Sequence, residues 1–338
     1  MSREILVGLS GGLDSLYTCH LLTQQGYRPV GAFLRFHPHS DPAPARALAQ
    51  RLGIPLHVVD VQERFEQSVL ADFVAAYANG RTPNPCAVCN AAAKLPGLAE
   101  CADGLGIGPI ATGHYVQIEN TPQRVQLRQA ADLSRDQSYF LWNVSQELLA
   151  RLVTPMASVI KKQIPQELSQ SVGAPESREI CFVTQQSYTQ WLAQQGLEAV
   201  PGDFVDTQGR VLGTHRGVYH YTVGQRKGLE VAAGQRLYVL SIDPKENRVV
   251  LGDLEQAQCR GFLARQVNFV SAAPFTGTRT LRVKPRYGSP GVTATVTVEP
   301  DGFRVEFSQP QRPVAPGQSA VCYDNDTLLF GGVIEKSW

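Results

Sequence analysis

The stretch Ile5-Leu6-Val7-Gly8-Leu9-Ser10-Gly11-Gly12-Leu13-Asp14-Ser15 decides how the chain is read. An apolar run passes into small residues, and an apolar-periodic segment from Leu16 to Leu22 follows, closed by Gly26. That pattern predicts a strand, a tight turn and a helix. Gly11 and Gly12 let main-chain N–H groups approach an oxyanion closely, and the helix N-terminus adds partial positive charge. Ser10 and Ser15 add hydroxyl donors, and Asp14 is placed to hold Mg2+ against phosphate oxygens. A turn that needed glycine for geometry alone would not require the flanking serines and the aspartate, so Gly8 through Ser15 reads as a phosphate cradle.

The Walker pattern is absent, so no lysine is expected to reach out to a terminal phosphate. This points to a nucleotide cut between its α- and β-phosphates. Ser10-Gly11-Gly12-Leu13-Asp14-Ser15 resembles the pyrophosphate loop of the N-type ATP pyrophosphatases, which adenylate a carbonyl-type oxygen and release pyrophosphate.

Composition narrows the class. The 338 residues suffice for two or three domains with real cores, and 43 % hydrophobic against 18 % charged residues is ordinary globular composition. No apolar run approaches the roughly 18 residues of a membrane span, and the chain enters its first strand with no room for a signal peptide. Seven cysteines without framework spacing read as reduced, cytoplasmic thiols. A net charge of only +1 means that any nucleic acid must be held by local basic patches.

Residues 1 to about 115 alternate predicted strands (29–34, 56–60, 109–112) with predicted helices (43–52, 65–77, 90–105). This is βαβ alternation, hence an α/β fold with a parallel sheet covered by helices on both faces. Ligands in such sheets sit at the carboxyl ends of strands, so 37–44, 79–90 and 113–115 should rim one cleft with the glycine turn, and Leu34 should end its strand beside the adenine. From 146 to about 195 the pattern reads as helical. After Pro201-Gly202 short alternating runs separated by turn residues continue to the end, predicting a small β-rich domain and a C-terminal β-barrel. The expected division is 1–145, a helical connection 146–200, a central β domain 201–257 and a barrel 258–338.

A second informative stretch is Arg81-Thr82-Pro83-Asn84-Pro85-Cys86-Ala87-Val88-Cys89-Asn90. Its prolines fix an extended backbone, and Cys89 is expected at the start of a helix capped near Asn90, where the helix terminus would lower the thiol's pKa. Cys-x-x-Cys also suits a metal, an iron–sulfur cluster or a redox pair.

Here the resemblance becomes specific. The turn and this loop are followed in order by Ala111-Thr112-Gly113-His114-Tyr115, Arg135-Asp136-Gln137-Ser138-Tyr139-Phe140, Ile180-Cys181-Phe182, Tyr221-Thr222-Val223-Gly224-Gln225-Arg226-Lys227-Gly228 and Pro316-Gly317-Gln318. Together they look like the bacterial tRNA-specific 2-thiouridylases, over essentially the whole chain. The resemblance implies a Rossmann-like adenylating domain that binds ATP and Mg2+ through Gly8, Leu9, Ser10, Gly11, Gly12, Leu13, Asp14 and Ser15, with Leu34 and Gly113 at the nucleoside. It implies a uridine oxygen made into an AMP ester, then replaced by sulfur carried as a persulfide on Cys181. Cys89 is the partner thiol that releases the sulfur and can end disulfide-bonded to Cys181. It further implies a persulfide donor protein fed by a cysteine desulfurase.

For the tRNA anticodon arm the resemblance implies Asn84, Pro85 and Cys86 beside a flipped-out uridine, His114 near the RNA, and contacts from Arg135, Asp136, Gln137, Arg286, Tyr287 and Gln318. Lys284 with Arg279 and Arg282 adds charge beside the aromatic platform of Tyr287, Arg282 and Lys284 sharing one strand face; Lys161-Lys162 is a weaker basic candidate. Two features depart from the family pattern. Cys86 stands where some relatives have aspartate, and Pro175-Glu176-Ser177-Arg178-Glu179 replaces the relatives' run before Ile180. The three thiols Cys86, Cys89 and Cys181 could therefore ligate a 4Fe–4S cluster that binds hydrosulfide, an alternative that stays open at the level of sequence. The other cysteines, Cys19, Cys101, Cys259 and Cys322, read as small core hydrophobes. The rival functions are a different tRNA-modifying or amide-forming ATP pyrophosphatase, which needs no paired thiols, and a non-catalytic tRNA-binding protein, which releases no pyrophosphate.

Overall fold

A five-stranded parallel sheet carries the glycine turn. The computed structural model describes residues 3–170, 180–183, 186–232 and 234–338. Its first strands are β1 (Arg3–Gly8), β2 (Tyr27–Arg35), β3 (Leu56–Asp60) and β4 (Ile110–Ala111); a hairpin of β5 (Val116–Asn120) and β6 (Val125–Gln129) precedes β7 (Leu152–Val153). The sheet order is β3-β2-β1-β4-β7, all pairs parallel. Strand order therefore reverses between β1 and β4, and the crevice at their carboxyl ends is where such sheets take ligands.

β1 is central because its residues alternate between two cores. Ile5 and Val7 pack with Leu16 and Leu22 of helix α1 (Leu13–Gln24) and Leu48 of α2 (Ala43–Leu52). Leu6 packs on the other face with Leu95, Leu98 and Ala102. All three β1 side chains are fully buried, each stabilising the fold by about 1.5–3 kcal/mol.

The predicted helix at 43–52 is found as such, with Gly53 in the left-handed conformation at its end. The predicted helix at 65–77 runs from Gln62 to Ala78 through one π-turn, Glu66–Leu70. The helix predicted from Asn90 starts at Pro85 instead, so Cys86 and Cys89 lie inside its first turns. The long helical reading of 146–195 is also corrected. Among the described residues only Gln146–Arg151, Gln166–Gln170 and Tyr188–Gln194 are α-helical there. Pro155 and Pro165 lack the N–H that an unbroken helix needs, and β7 leaves the segment to join the sheet edge. Residues 175–179, the run that departs from the family pattern, lie outside the described residues.

The second half is all β. Strands β8 (Gly202–Val205), β9 (Val211–His215), β10 (Tyr238–Asp243) and β11 (Arg248–Gly252) form a sheet in the order β10-β11-β8-β9, over Phe204, Val239 and Val249. The barrel follows with β12 (Cys259–Phe269), β13 (Gly277–Lys284), β14 (Val292–Glu299), β15 (Gly302–Gln311), β16 (Ser319–Asp324) and β17 (Thr327–Ser337). Its order is β12-β15-β14-β13-β16-β17, closed by pairing of β12 with β17. Alternation places Ala294, Val296 and Val298 of β14 inside, with Phe303 and Phe330. The β5–β6 hairpin extends this barrel sheet, Leu127 opposite Leu328, and so ties the two ends of the chain together.

Residues 81–84 are the point where three modules meet. The Thr82 N–H donates to Pro316 O (2.8 Å), the Thr82 hydroxyl meets that of Thr222 (3.4 Å), and the Gln318 amide donates to Thr82 O (3.1 Å) and Pro83 O (2.9 Å). Gly317, at φ +92°, is needed for this approach: a Cβ there would lie 2.8 Å from Thr82 O. No helix among the described residues is long and apolar enough to cross a membrane.

Candidate active site

The glycine turn opens on a cavity of about 380 Å³. Gly8, Leu9, Ser10, Asp14 and Ser15 line it, as do Leu34 near the end of β2 and Gly113 beyond β4. Gly11, Gly12 and Leu13 complete the turn behind them. Gly12 is the N-cap of α1 and no side chain caps that end, so the first-turn amides face the turn. The Ser10 hydroxyl accepts from Gly12 N–H (3.3 Å), and that of Ser15 donates to Gly12 O (2.8 Å). Gly113 packs directly against Asp14, 3.2–3.3 Å from where its Cβ would be, so the two loops of the crevice touch. Asp14 is held by the Lys161 ammonium and by the Tyr115 hydroxyl at 2.9 Å.

None of residues 79–90, expected to rim the same cleft, lines this cavity; the thiols connect to it through Lys94. Asn84 is the N-cap of the Pro85–Cys89 turn, its Oδ1 accepting from Ala87 N–H, while its amide donates to Ser319 Oγ (3.0 Å). The cap expected near Asn90 is thus at Asn84, with Pro85 in the first helical position, which its fixed φ suits. Cys181 comes alongside because Phe182 is an anchor: its ring lies 5.7 Å from Phe65, 5.2 Å from Phe73 and 5.0 Å from Trp191. Phe182 and Cys89 pack on the same cluster of Phe65, Val69 and Ala93. Cys86, Cys89 and Cys181 all act electrostatically on the Lys94 ammonium, and Lys94 also lines the nucleotide cavity. Lys94 is thus shared by the nucleotide cavity and the surroundings of the thiols.

The expectation of a lowered Cys89 pKa is corrected. Burial pushes the Cys89 thiol up to about 12, outweighing the Lys94 charge that pulls it down. Burial likewise pushes Cys181 up to about 11 and raises Cys86, although both of these open to solvent on one side. Helix-terminus effects fade within a turn and are screened, whereas enclosure by protein penalises the thiolate directly. Because these folded values stand above the unfolded one, the protonated thiols favour the fold below about pH 8.5, and that contribution is lost as pH rises toward the folded values. Iodoacetamide should modify Cys89 and Cys181 slowly at neutral pH, rising roughly tenfold per pH unit to beyond about pH 10, but flattening near pH 9 once urea unfolds the chain. Peptide mapping reads each cysteine, and a plateau near neutrality in the folded protein would contradict this assignment.

His114 is buried and bridges two groups: Nδ1 meets Thr112 Oγ1 (2.8 Å) and Nε2 meets Lys94 Nζ (3.2 Å). Burial, then the Lys94 charge, hold it well below the usual histidine range, so it is neutral and faces the nucleotide cavity. Asp136, expected as an acceptor for RNA, is turned inward. It is 2 % exposed and accepts from Gln129, from Ala130 N–H and from both N–H and hydroxyl of Ser138. Gln137 lines the cavity, its Oε1 taking the Tyr115 N–H (3.0 Å). Gln318 spends its amide on the 82–83 carbonyls.

Arg286 and Tyr287 are exposed, the Tyr287 ring 4.4 Å from Phe140 and 5.7 Å from the Lys284 ammonium. The expected solvent-facing basic stripe is narrower than the alternation suggested. Lys284 is buried against Tyr139 and Tyr287, and Arg282 donates to Gln129 and Asn325.

All seven cysteines are free thiols. Among the described residues no group of three or more His, Cys, Asp or Glu side chains is gathered closely enough to hold a metal ion. Of the remaining cysteines, Cys19, Cys259 and Cys322 are buried and Cys101 packs half-buried against a core, as expected of small hydrophobes.

The chain is similar to known proteins over nearly its whole length. Residues 3–185 match the family model described as tRNA methyl transferase HUP domain, 190–253 the tRNA methyl transferase PRC-barrel domain, and 259–334 the aminomethyltransferase beta-barrel domain. A tRNA-specific 2-thiouridylase MnmA of Acetivibrio thermocellus is 38 % identical over 356 residues, covering 98 % of this chain and 99 % of its own. The chain belongs to the tRNA-specific 2-thiouridylase family. Thiouridylases so named from Synechococcus sp. JA-2-3B'a(2-13) and Clostridium botulinum Okra are 41 % and 36 % identical, covering 98 % and 99 % of this chain and 94 % and 100 % of their own. A solved predicted subunit of tRNA methyltransferase from Methanocaldococcus jannaschii, 17 % identical, covers 50 % of this chain and 76 % of its own at TM-score 0.34, a loose likeness.

Within this thiouridylase-family chain, three site residues escape a reading of motifs. Lys94 is a lone charge in the apolar run Ala91-Ala92-Ala93-Lys94-Leu95, which by itself reads as an ordinary exposed helix position. Lys161 was visible as half of a basic pair but reads there as an RNA-facing residue. Ser319 is a buried hub joining Asn84, Trp142 and, through its carbonyl, Tyr139, which only the tertiary structure reveals.

Proposed function

We propose that the chain is an ATP-dependent tRNA sulfurtransferase that converts the wobble uridine of tRNA to 2-thiouridine. The observation that carries this reading is that Cys89 and Phe182, the neighbour of Cys181, pack on one cluster with Ala93, and that the next residue, Lys94, lines the cavity of the glycine turn. An amide-forming relative would need no thiols there. MgATP is the substrate of the first step, its phosphates in the turn and its nucleoside between Leu34 and Gly113. The uridine C2 oxygen attacks the α-phosphate, pyrophosphate leaves, and the base becomes an AMP ester. The terminal sulfur of a persulfide on Cys181 then attacks C2 and AMP departs. The Cys89 sulfur attacks Cys181 Sγ, leaving its sulfur on the base and forming a Cys89–Cys181 disulfide that an external thiol reduces.

A persulfide donor protein, fed by a cysteine desulfurase, charges Cys181 in the cytoplasm. Residues 1–145 form the adenylating unit, 146–200 bring in Cys181, and the β modules 201–257 and 258–338 grip the anticodon arm through Arg286 and Tyr287, with Arg135 and the Asn84-Pro85-Cys86 corner nearer the base. Gln318 acts by placing that corner.

Nucleoside mass analysis of tRNA incubated with ATP and a persulfide donor tests the reading. Appearance of 2-thiouridine, with AMP and pyrophosphate in equal amounts, is the expected result. ATP cleavage that leaves tRNA unsulfurated, or tRNA binding without pyrophosphate release, would overturn it.

A further inference from the structure

Lys161 has no task in the reaction just described, yet its ammonium reaches the phosphate turn. It projects from the short 3-10 helix Lys161–Gln163 and pairs with the Asp14 carboxylate. This is not a loose surface contact: the Lys161 side chain is only 11 % exposed and that of Asp14 37 %. The Tyr115 hydroxyl donates to the same carboxylate oxygen, and the ammonium lies 5.8 Å from the Tyr115 ring centre. The main chain is pinned as well, Lys161 N–H donating to Asp132 Oδ2 at 3.0 Å. Asp14 itself lines the cavity beside Ser10 and Ser15.

A turn made of amides and hydroxyls offers dipoles to a triphosphate but no full positive charge. In a Walker loop the charge comes from a lysine inside the motif; in this chain a lysine distant in sequence is delivered to the same place. We propose that Lys161 is the cation of the pyrophosphate loop, paired with Asp14 without nucleotide and turned to the β- and γ-phosphates when MgATP enters and Asp14 passes to the nucleotide's metal. This deepens, and rests on, the reading of the turn as an ATP site. A half-buried charge parted from its partner is costly, and in this exchange each charge meets a new partner of opposite sign as it loses the old one. With the Lys161 main chain held by Asp132, only the side chain has to turn.

Lys161 should therefore distinguish nucleotides by their phosphates. Calorimetric titration of MgATP and of AMP into wild type and Lys161→Met reads this directly. MgATP should bind the variant about 10- to 100-fold more weakly and AMP within about twofold of wild type. Lys161→Arg, which keeps the charge, should recover most of the MgATP affinity. Without nucleotide, Lys161→Met should unfold at lower temperature, and adding Asp14→Asn should restore part of the loss. Should Lys161→Met fold poorly, Lys161→Gln carries the same ATP-to-AMP comparison. An unchanged MgATP affinity, or equal losses for MgATP and AMP, overturns the assignment. A wild-type protein that binds neither nucleotide overturns the ATP reading instead.

Discussion

Replacing Cys181 with serine is expected to abolish formation of 2-thiouridine while leaving pyrophosphate release and tRNA binding within about twofold of wild type. Serine is nearly isosteric, and Cys181 is exposed on one side, so the segment should stay docked through Phe182 among Phe65, Phe73 and Trp191. An alkoxyl oxygen cannot carry a transferable sulfur, and its pKa is far too high for it to substitute as a nucleophile. Cys89→Ser should also end turnover but at a later point: with ATP and tRNA, Cys181 should be trapped in a reducible disulfide link to the base, visible by mass spectrometry as an enzyme–tRNA adduct, and only without tRNA should it stay a persulfide. Cys86→Ser separates the thiol roles further, because Cys86 acts on both neighbours electrostatically but has no step of its own in the proposed sequence. It should shift rates moderately, by about tenfold or less. Cys101→Ser, half-buried and away from Lys94, is the control that should change nothing. Thiolation that survives Cys181→Ser would remove the persulfide route altogether.

What made some of this legible in advance is locality. Strand, glycine turn and helix from Arg3 to Gln24 are specified by neighbours in sequence, and the alternation of Ile5, Leu6 and Val7 between two cores follows from an apolar run in a parallel sheet. Asn84-Pro85 also held a local signal, an N-cap followed by proline at the first helical position, that outranks Asn90 as the helix start. Other features depend on distant partners. The strand pair 116–129 alternates only briefly, and its partner β17 lies near the other end of the chain. The direction of the Cys89 shift depends on enclosure by the 62–78 helix and the Cys181 segment, which no spacing within Cys-x-x-Cys conveys. The importance of Cys181 rested on family resemblance; its position beside Cys89 is explained physically by Phe182, an aromatic whose partners all lie elsewhere in sequence. Asp136 illustrates the reverse error. A cation, a carboxylate and an amide in one loop read as solvent-facing, yet the carboxylate collects four donors and organises the turn from inside.

Gly11→Ala should be the most damaging single methyl addition in the chain's first domain. Gly11 stands at φ +84°, where an L residue is strained by roughly 1–2 kcal/mol. The added Cβ would also lie 2.6 Å from Pro44 Cβ and 2.9 Å from Ala45 N, at the first turn of α2. Neither contact is the end of a flexible side chain, so α2 has to move away from the turn, an overpacking cost of about 1–3 kcal/mol more. The turn and α2 share the core of Leu16, Leu48 and Ala49, so the displacement spreads into packing that positions Ser10 and Ser15. Urea unfolding should therefore show a loss of about 2–5 kcal/mol, and pyrophosphate release should fall at least about 100-fold even where the variant remains folded. Gly12→Ala supplies the contrast. Gly12 is at φ −88°, and its nearest neighbour would be the Ser10 hydroxyl at 3.5 Å, so stability should stay within about 1 kcal/mol of wild type. Its new methyl stands at the mouth of the amide cradle, where it should weaken MgATP binding without unfolding the protein. Equal stability losses in the two variants would mean that the turn is not braced against α2, and the account of why this glycine pair is asymmetric would fail.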